Sequence, residues 1–193
     1  MGKIPLESQS RHSDRNSRIL CAFHEEKLVA SATLFFPAKD ATDAIELRRV
    51  CVHSQYRRSD LLMGLYEHIA RAFVLSDRKF IHVPHDDARL ASYLHMGFRM
   101  SAPARVGGGT ASRPAVLGKE AVLACKGMST VAWLCLFGDL AEHLLEKGFV
   151  NAGPWRYWRI KARLRLKPLL KPFMAKWRGQ FLKQFLTEAS PNL

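Results

Sequence analysis

Acidic residues are missing from one long segment of this sequence. Between Trp155 and Leu186 there are ten lysines and arginines and no aspartate or glutamate. The 193-residue chain has a formal charge of +13, and the excess belongs to that segment, because the other 20 basic residues face 17 acidic ones. Such a segment calls for phosphate, anionic lipid or an acidic protein as its partner. Cysteine is also sparse. Cys21, Cys51, Cys125 and Cys135 lie far apart, with no C-x-x-C and no metal-ligand spacing, which excludes a zinc ribbon or a dithiol redox motif. Cys51 and Cys135 sit inside apolar patterns and read as small core residues in a reducing cytosol. Long hydrophobic runs are absent too. The longest clean one, VAWLCLF (131–137), is far short of a membrane span, and the opening MGKIPLESQSRHSDRNSR holds no apolar stretch of signal-peptide length. The expectation is a cytosolic, soluble or surface-lying protein whose length allows one proper core.

What is present centres on residues 44–99. AIELRRVCV (44–52) is β-branched and apolar-rich, as a strand should be. QYRRSD (55–60) is a polar turn ending in Ser59 and Asp60, both good helix N-caps. Leu61, Leu62, Leu65, Ile69, Ala72 and Phe73 then form one helical apolar face. FIHV (80–83) reads as a short strand closed by Pro84, and DDARLASYLHMGF (86–98) as a helix ended by Gly97. A βαβα unit whose turn opens a helix is a place for an anionic ligand, since free N–H groups and the helix dipole point there.

The order and wording of this stretch resemble the acyl-CoA-binding core of the GNAT acyltransferases over roughly residues 18–125. In that superfamily a strand leads into an R/Q-x-x-G-x-G/A turn, a helix, a strand, and a helix carrying Y-x-x-x-G-F. YRRSDLL (56–62) stands at the turn here and YLHMGF (93–98) at the tail. The resemblance implies an α/β (α+β) fold: a mixed central sheet flanked by helices, with extra helices at the C-terminus. Both turn glycines are replaced, by Asp60 and Leu62. Glycine there lets bare backbone approach a pyrophosphate, whereas the Asp60 carboxylate would compete for the same N–H groups and repel a diphosphate. Asp60 can also be read as an ordinary first-turn residue. GNAT branches that take the acyl group from acyl carrier protein meet only one phosphodiester. IELRRVCV (45–52) resembles the E-L-x-R-x-x-V strand of the autoinducer synthases, and YRRSDLLMGLYEHI (56–69) is similar to the long-chain N-acyl amino acid synthases.

Acyl transfer to an amine needs a base for the ammonium proton, a donor for the thioester oxyanion and an acid for the leaving thiolate. The resemblance implies Glu46 as the base, Arg49 as the group orienting the acceptor's carboxylate, Tyr93 as the acid, and the N–H groups of Val50 to Val52 as oxyanion donors. Each has a plainer reading. Glu46 can be an edge carboxylate paired with Arg48, which alternation places on its own face. Arg49 alternates to the opposite face unless a bulge re-aims it. Tyr93 can be a helix residue packing under the sheet. Arg57 and Arg58 can grip the pantetheine phosphate bidentately or simply form a solvated turn. The donor site thus runs over Val50, Val52, Arg57, Arg58, Ser59, Asp60, Leu61 and Leu62. The donor is the phosphopantetheine thioester of acyl carrier protein, or acyl-CoA. No permanently bound cofactor and no metal is expected. His82-x-x-His85 has no third ligand in register and reads as structural or solvated. Gly107, Gly108 and Gly109 lie in the loop from Ser101 to Pro114, and no Gly-Lys-Ser/Thr follows them.

The flanks divide the chain. Residues 1–17 read as a loose polar leader, and 18–127 as the acyltransferase core. SRILCAF (17–23) and LVASATLFF (28–36) form a hairpin across HEEK (24–27), and AVLGKEAVLAC (115–125) is the last strand. Residues 128–150 hold a further helix capped by Ser129/Thr130, with Trp133, Phe137, Leu140, Ala141 and Leu144 as its stripe and an end at Lys147-Gly148. Residues 151–193 form a basic amphipathic appendage. WRIKARLRLK (158–167) alternates strictly and suits either a strand or a basic helix. Pro168 and Pro172 are expected to break the chain. Phe173, Trp177, Phe181 and Phe185 then recur at i+4, flanked by Met174, Leu182 and Leu186, with Lys176, Arg178 and Lys183 off the seam. That stripe can pack on the core, lie in a membrane's headgroup layer, or dock carrier protein. Its helical spacing speaks against stacked nucleic-acid bases.

Overall fold

Residues 44–52 form the strand expected of them, and a mixed sheet is built around it. The computed structural model describes residues 6–9, 16–57, 60–83, 87–101, 114–124, 126–146 and 153–188, of which 6–9, 87–89 and 184–188 are described by their backbone alone. In chain order the strands are β1 (Leu6–Gln9), β2 (Ser17–His24), β3 (Lys27–Phe35), β4 (Ala44–Val52), β5 (Phe80–Val83), β6 (Arg99–Met100) and β7 (Ala115–Gly118). The helices are α1 (Leu61–Leu75), α2 (Asp87–His95), α3 (Lys119–Leu123), α4 (Thr130–Glu146), α5 (Pro154–Arg165) and α6 (Lys167–Glu188). The sheet order is β1-β2-β3-β4-β5-β7-β6, antiparallel except where β4 and β5 run parallel. The fold is therefore mixed α/β, with helices flanking the sheet and more of them at the C-terminus.

Period-two burial explains the layers. Ala30, Ala32 and Leu34 of β3 and Ile45, Leu47 and Val50 of β4 are buried in the core shared with α1 and α4. Ser31, Thr33, Phe35, Glu46 and Arg48 alternate to the other face, which is only half covered. β2 and β3 turn through Glu25 and Glu26, both at positive φ (48° and 64°), the geometry of a two-residue hairpin. The loop before β4 is held by a buried arginine. Arg78, 8% exposed, donates from Nη1 to the Thr42 carbonyl (2.7 Å) and from Nη2 to that of Pro37 (2.6 Å). Arg78→Met should cost about 2–3 kcal/mol, because two charge-assisted bonds go and two carbonyls lose their donor. Urea denaturation would show this as a lower midpoint at an unchanged slope.

Four expectations are corrected. The first 17 residues are not entirely loose, because Leu6–Gln9 pairs with β2 as an outer strand. The stretch 115–125 is a strand only to Gly118; Lys119–Leu123 is helical, and Cys125 lies outside the described residues. Cys51 is exposed rather than in the core, because it falls on the outward phase of β4, whereas Cys135 is buried. Pro168 and Pro172 do not break the chain. Pro168 occupies the first turn of α6, where no N–H is needed, and Pro172 forfeits one bond on the exposed side. The interruption falls instead at Leu166, which keeps right-handed backbone angles (φ −78°, ψ −13°) between α5 and α6. The open choice for 158–167 resolves to helix.

The cap of α4 is as expected, with Ser129 Oγ accepting from the Ala132 N–H at 3.1 Å. Its expected end at Lys147-Gly148 lies outside the described residues, as do Arg58, Ser59, His85 and the triple glycine. Trp177 and Phe181 of the α6 seam pack inward. Phe181 is fully buried and meets Tyr66 edge-on at 5.7 Å, and Trp177 stacks on His95 at 4.8 Å. Burial holds the His95 imidazole below its usual pKa. Arg178 of α6 donates to Glu67 of α1 (2.8 Å), and Lys167 pairs with Asp139 of α4. Phe173, one turn earlier on the seam, faces outward instead.

Candidate functional site

The parallel partnership of β4 and β5 is short, and this makes the site. Among the described residues the two strands pair only at Ala44↔Phe80, Ile45↔Ile81 and Glu46↔His82. Among the described residues β4 pairs with β3 alone beyond Glu46, so β4 and β5 part there and that edge of β4 makes no ladder to β5. The chain leaves β4 through a 3-10 turn at Ser54–Tyr56, and α1 begins at Leu61, nine positions after the end of β4 at Val52.

A bulge shapes the edge of this parting. Thr33 pairs with Arg48 and Ser31 with Cys51, so Arg49 and Val50 together oppose Ala32. Arg49 sits at φ +51°, a left-handed conformation that an arginine adopts only at a cost. The extra residue breaks the alternation. Arg48 and Arg49 are exposed in succession, and Val50 returns to the core. The bulge that would re-aim Arg49 is therefore present.

Glu46 meets its plainer reading in part. Arg48 Nε donates to Glu46 Oε2 at 2.9 Å, and the Arg48 guanidinium lies 4.0 Å from the centre of the Phe35 ring. Glu46 nevertheless stays about one-third exposed on the open face and sits in register beside His82. Burial lowers the pKa of the half-buried His82, opposed by the charge of Glu46, so at pH 7 the imidazole is neutral and able to accept a proton. The sequence reads His82 and His85 as structural or solvated and does not show that His82 neighbours Glu46. The signal was there in the alternation of FIHV, but the β4–β5 register is non-local. Among the described residues no group of three or more His, Cys, Asp or Glu can hold a metal.

Tyr93 is placed in the core, 3% exposed. Its position follows from how α2 ends. Phe98 N–H donates to the Tyr93 carbonyl (3.0 Å) and Gly97 N–H to that of Leu94 (3.0 Å), while Gly97 takes φ +90°. This is a Schellman motif, whose usual apolar contact is made here by Tyr93 against Phe98 at 5.5 Å. A Cβ on Gly97 would also crowd the end of the Met128 side chain, 2.6 Å from its Cε, but it is the positive φ that requires glycine here. The Y-x-x-x-G-F pattern is thus accounted for by helix capping.

At the turn, Arg57 folds back, its Nε donating to the Val52 carbonyl at 3.3 Å. Leu61 and Leu62 are buried on the core face of α1, and Val52 is partly covered. Asp60 is the N-cap residue, yet its carboxylate makes no cap hydrogen bond; the helix is opened by its carbonyl, which accepts from Gly64 N–H at 2.9 Å. The side chain expected to occupy the helix N–H groups does not do so. An apolar crevice lined by Val74, Val122, Trp133, Phe137 and Ile160 lies at the far end of α1 from Asp60 and does not serve this site.

Neither a known protein-family model nor a curated protein matches the sequence. Solved structures of similar fold are acetyltransferases. A GNAT-family acetyltransferase from Staphylococcus aureus Mu50 is 14% identical over 54% of this chain and 68% of its own, at a TM-score of 0.45. A GNAT-family acetyltransferase from Elizabethkingia anophelis with acetyl-CoA bound is 10% identical over 59% and 95%, at 0.45. A Bacillus subtilis acetyltransferase in complex with CoA is 13% identical over 59% and 96%, at 0.43. At these identities the likeness concerns the path of the backbone and says nothing of any residue's role.

Proposed function

We propose that this protein is a cytoplasmic N-acyltransferase. It moves a fatty acyl group from the phosphopantetheine thioester of acyl carrier protein to the amino group of a small acceptor, an amino acid by preference. The parting of β4 and β5 beside the start of α1 carries this reading, because an extended pantetheine arm can lie there and complete the sheet's unused hydrogen bonds. The acceptor approaches across the open face bearing Glu46, Arg48 and His82. Its ammonium gives a proton to Glu46, with neutral His82 beside it. The amine nitrogen attacks the thioester carbon, the N–H groups of Val50 to Val52 receive the oxyanion, and C–N forms as C–S breaks. The amine nitrogen sheds its second proton as the amide forms. The departing thiolate takes up a proton from Tyr93, the tyrosine the resemblance assigns to that task, and that second proton restores it. Arg49 orients the acceptor's carboxylate, and Arg57 with Arg58, Ser59, Asp60, Leu61 and Leu62 frames the donor's phosphate. Peripheral contact with the membrane through residues 155–186 belongs to the same reading, since the product carries a fatty chain.

A second donor has an observation of its own. The Asp60 carboxylate makes no cap hydrogen bond at the opening of α1, so its competition with a diphosphate is weaker than the sequence suggests, and free acetyl-CoA remains a donor in competition. The test is a donor comparison. Purified protein with pooled amino acids should give N-acyl products, read by mass spectrometry, from long-chain acyl carrier protein and less from long-chain acyl-CoA. Product from acetyl-CoA alone, improved in Asp60→Gly, would transfer the assignment to an acetyltransferase. No product from any donor would leave a scaffold without catalysis.

A further inference from the structure

The inner face of α5 and α6 is spent on the core, through Ile160, Trp177 and Phe181. The outer face is not. Trp155 (75% exposed), Trp158 (57%), Leu166 (44%), Leu169 (72%) and Phe173 (58%) all stand in solvent there. They recur at spacings of three, four and eight residues, which keeps them on one side of a helix. The two helices follow each other closely at Leu166, which is right-handed and whose carbonyl accepts from Leu170 N–H at 3.0 Å. Five large apolar side chains in one line are more than scattered surface exposure.

The flanks say what covers it. Arg156, Arg159, Arg165, Lys171 and Lys176 are exposed along the same two helices, and Lys161 lies 5.6 Å from the centre of the Trp158 ring. No acidic residue interrupts them from 153 to 187. We infer that the outer face of α5 and α6 seats this protein on an anionic lipid surface, with Trp155, Trp158, Leu166, Leu169 and Phe173 entering the headgroup layer and the surrounding arginines and lysines meeting lipid phosphates. The Trp/Leu/Phe stripe with a basic surround is what an in-plane interfacial helix needs. No described helix is long and apolar enough to cross a membrane. A second copy of the chain is a poor occupant, since it would bring two faces of the same strong charge together. Nucleic acid would satisfy the charge and leave the apolar line uncovered. The inference does not depend on acyl transfer.

The test is co-sedimentation of the full chain with vesicles of phosphatidylcholine alone or mixed with phosphatidylglycerol. The anionic vesicles should bind it about tenfold more tightly or better, with loss of that preference at high salt. Tryptophan emission should shift to the blue on binding, because Trp155 and Trp158 start exposed while Trp133 and Trp177 are already buried. The combined substitution W155S/W158S/L169S/F173S, made at exposed positions, should abolish binding with the melting temperature little changed. Should that variant misfold, protection of the native tryptophans from iodide on anionic vesicles decides the matter. Absence of binding, equal binding to neutral vesicles, equal binding by a folded stripe variant, or binding only to DNA or an acidic protein would each overturn the inference.

Discussion

Phe181→Ala should lower stability by about 3–5 kcal/mol, the usual cost of removing a fully buried aromatic ring. For a chain of this size that is a fall of about 6–20 °C in melting temperature, read by calorimetry or circular dichroism. The ring has no solvent exposure, sits against Tyr66 and lies parallel to Trp177 at 5.8 Å. Its loss should loosen α6 from α1, α2 and α4 together. Phe173→Ala is the internal control. It lies two helical turns earlier on the same i+4 seam but faces solvent, so its effect should stay within about 0.5 kcal/mol. The reverse ranking would mean that α6 is set on the core so that Phe173 is the enclosed ring, and the exposed stripe assigned to lipid would then be the wrong one.

Glu46→Gln should reduce the rate of N-acyl transfer by about 10²–10⁴, the usual contribution of a positioned general base. Glutamine keeps the shape and can still accept from Arg48, so what is lost is the proton acceptor. Stability should change by no more than about 1 kcal/mol, because the Glu46–Arg48 pair is partly exposed and screened. His82→Asn separates the two groups that can hold the proton. If Glu46→Gln keeps its rate and His82→Asn loses it, the base is the imidazole and Glu46 positions it. In that case the rate should hold down to about pH 6.5 and fall below it as His82 takes up a proton, since its folded pKa lies under the ordinary value. If neither change affects transfer, the open face of β4 is not where the acceptor binds.

Much of the candidate site was legible because its signals are local. The outward phase of Glu46 and Arg48 and the polar turn before α1 follow from residues within a few positions of one another, whereas the bulge that exposes Arg49 is formed against β3 and was an open alternative in the sequence. Gly97 was legible as a helix end, and the capping hydrogen bonds explain why Tyr93 and Phe98 accompany it. The neighbour of Glu46 was not legible. Parallel pairing of β4 with β5 crosses more than thirty residues, and nothing in FIHV names the strand it will join. The clamp of Arg78 on the Pro37 and Thr42 carbonyls was hidden for the same reason, since its partners lie 41 and 36 positions away. Nor did the strand at Leu6–Gln9 show itself, because an edge strand with polar side chains takes its pairing from β2 rather than from its own hydrophobicity.

By itself the sequence determined the strand and helix periods of residues 44–99, the glycine-poor turn at α1, and the concentration of basic charge after Trp155. Those depend on composition and spacing along one element. The tertiary structure decided which aromatic residues are core and which are surface. Phe173 and Phe181 are indistinguishable in an i+4 list, yet one is exposed and the other enclosed. The reason is geometric. α1 and α2 meet α6 at Trp177 and Phe181, whereas in its first half Leu170 and Met174 are the side chains turned to the core, and Phe173 is left in water.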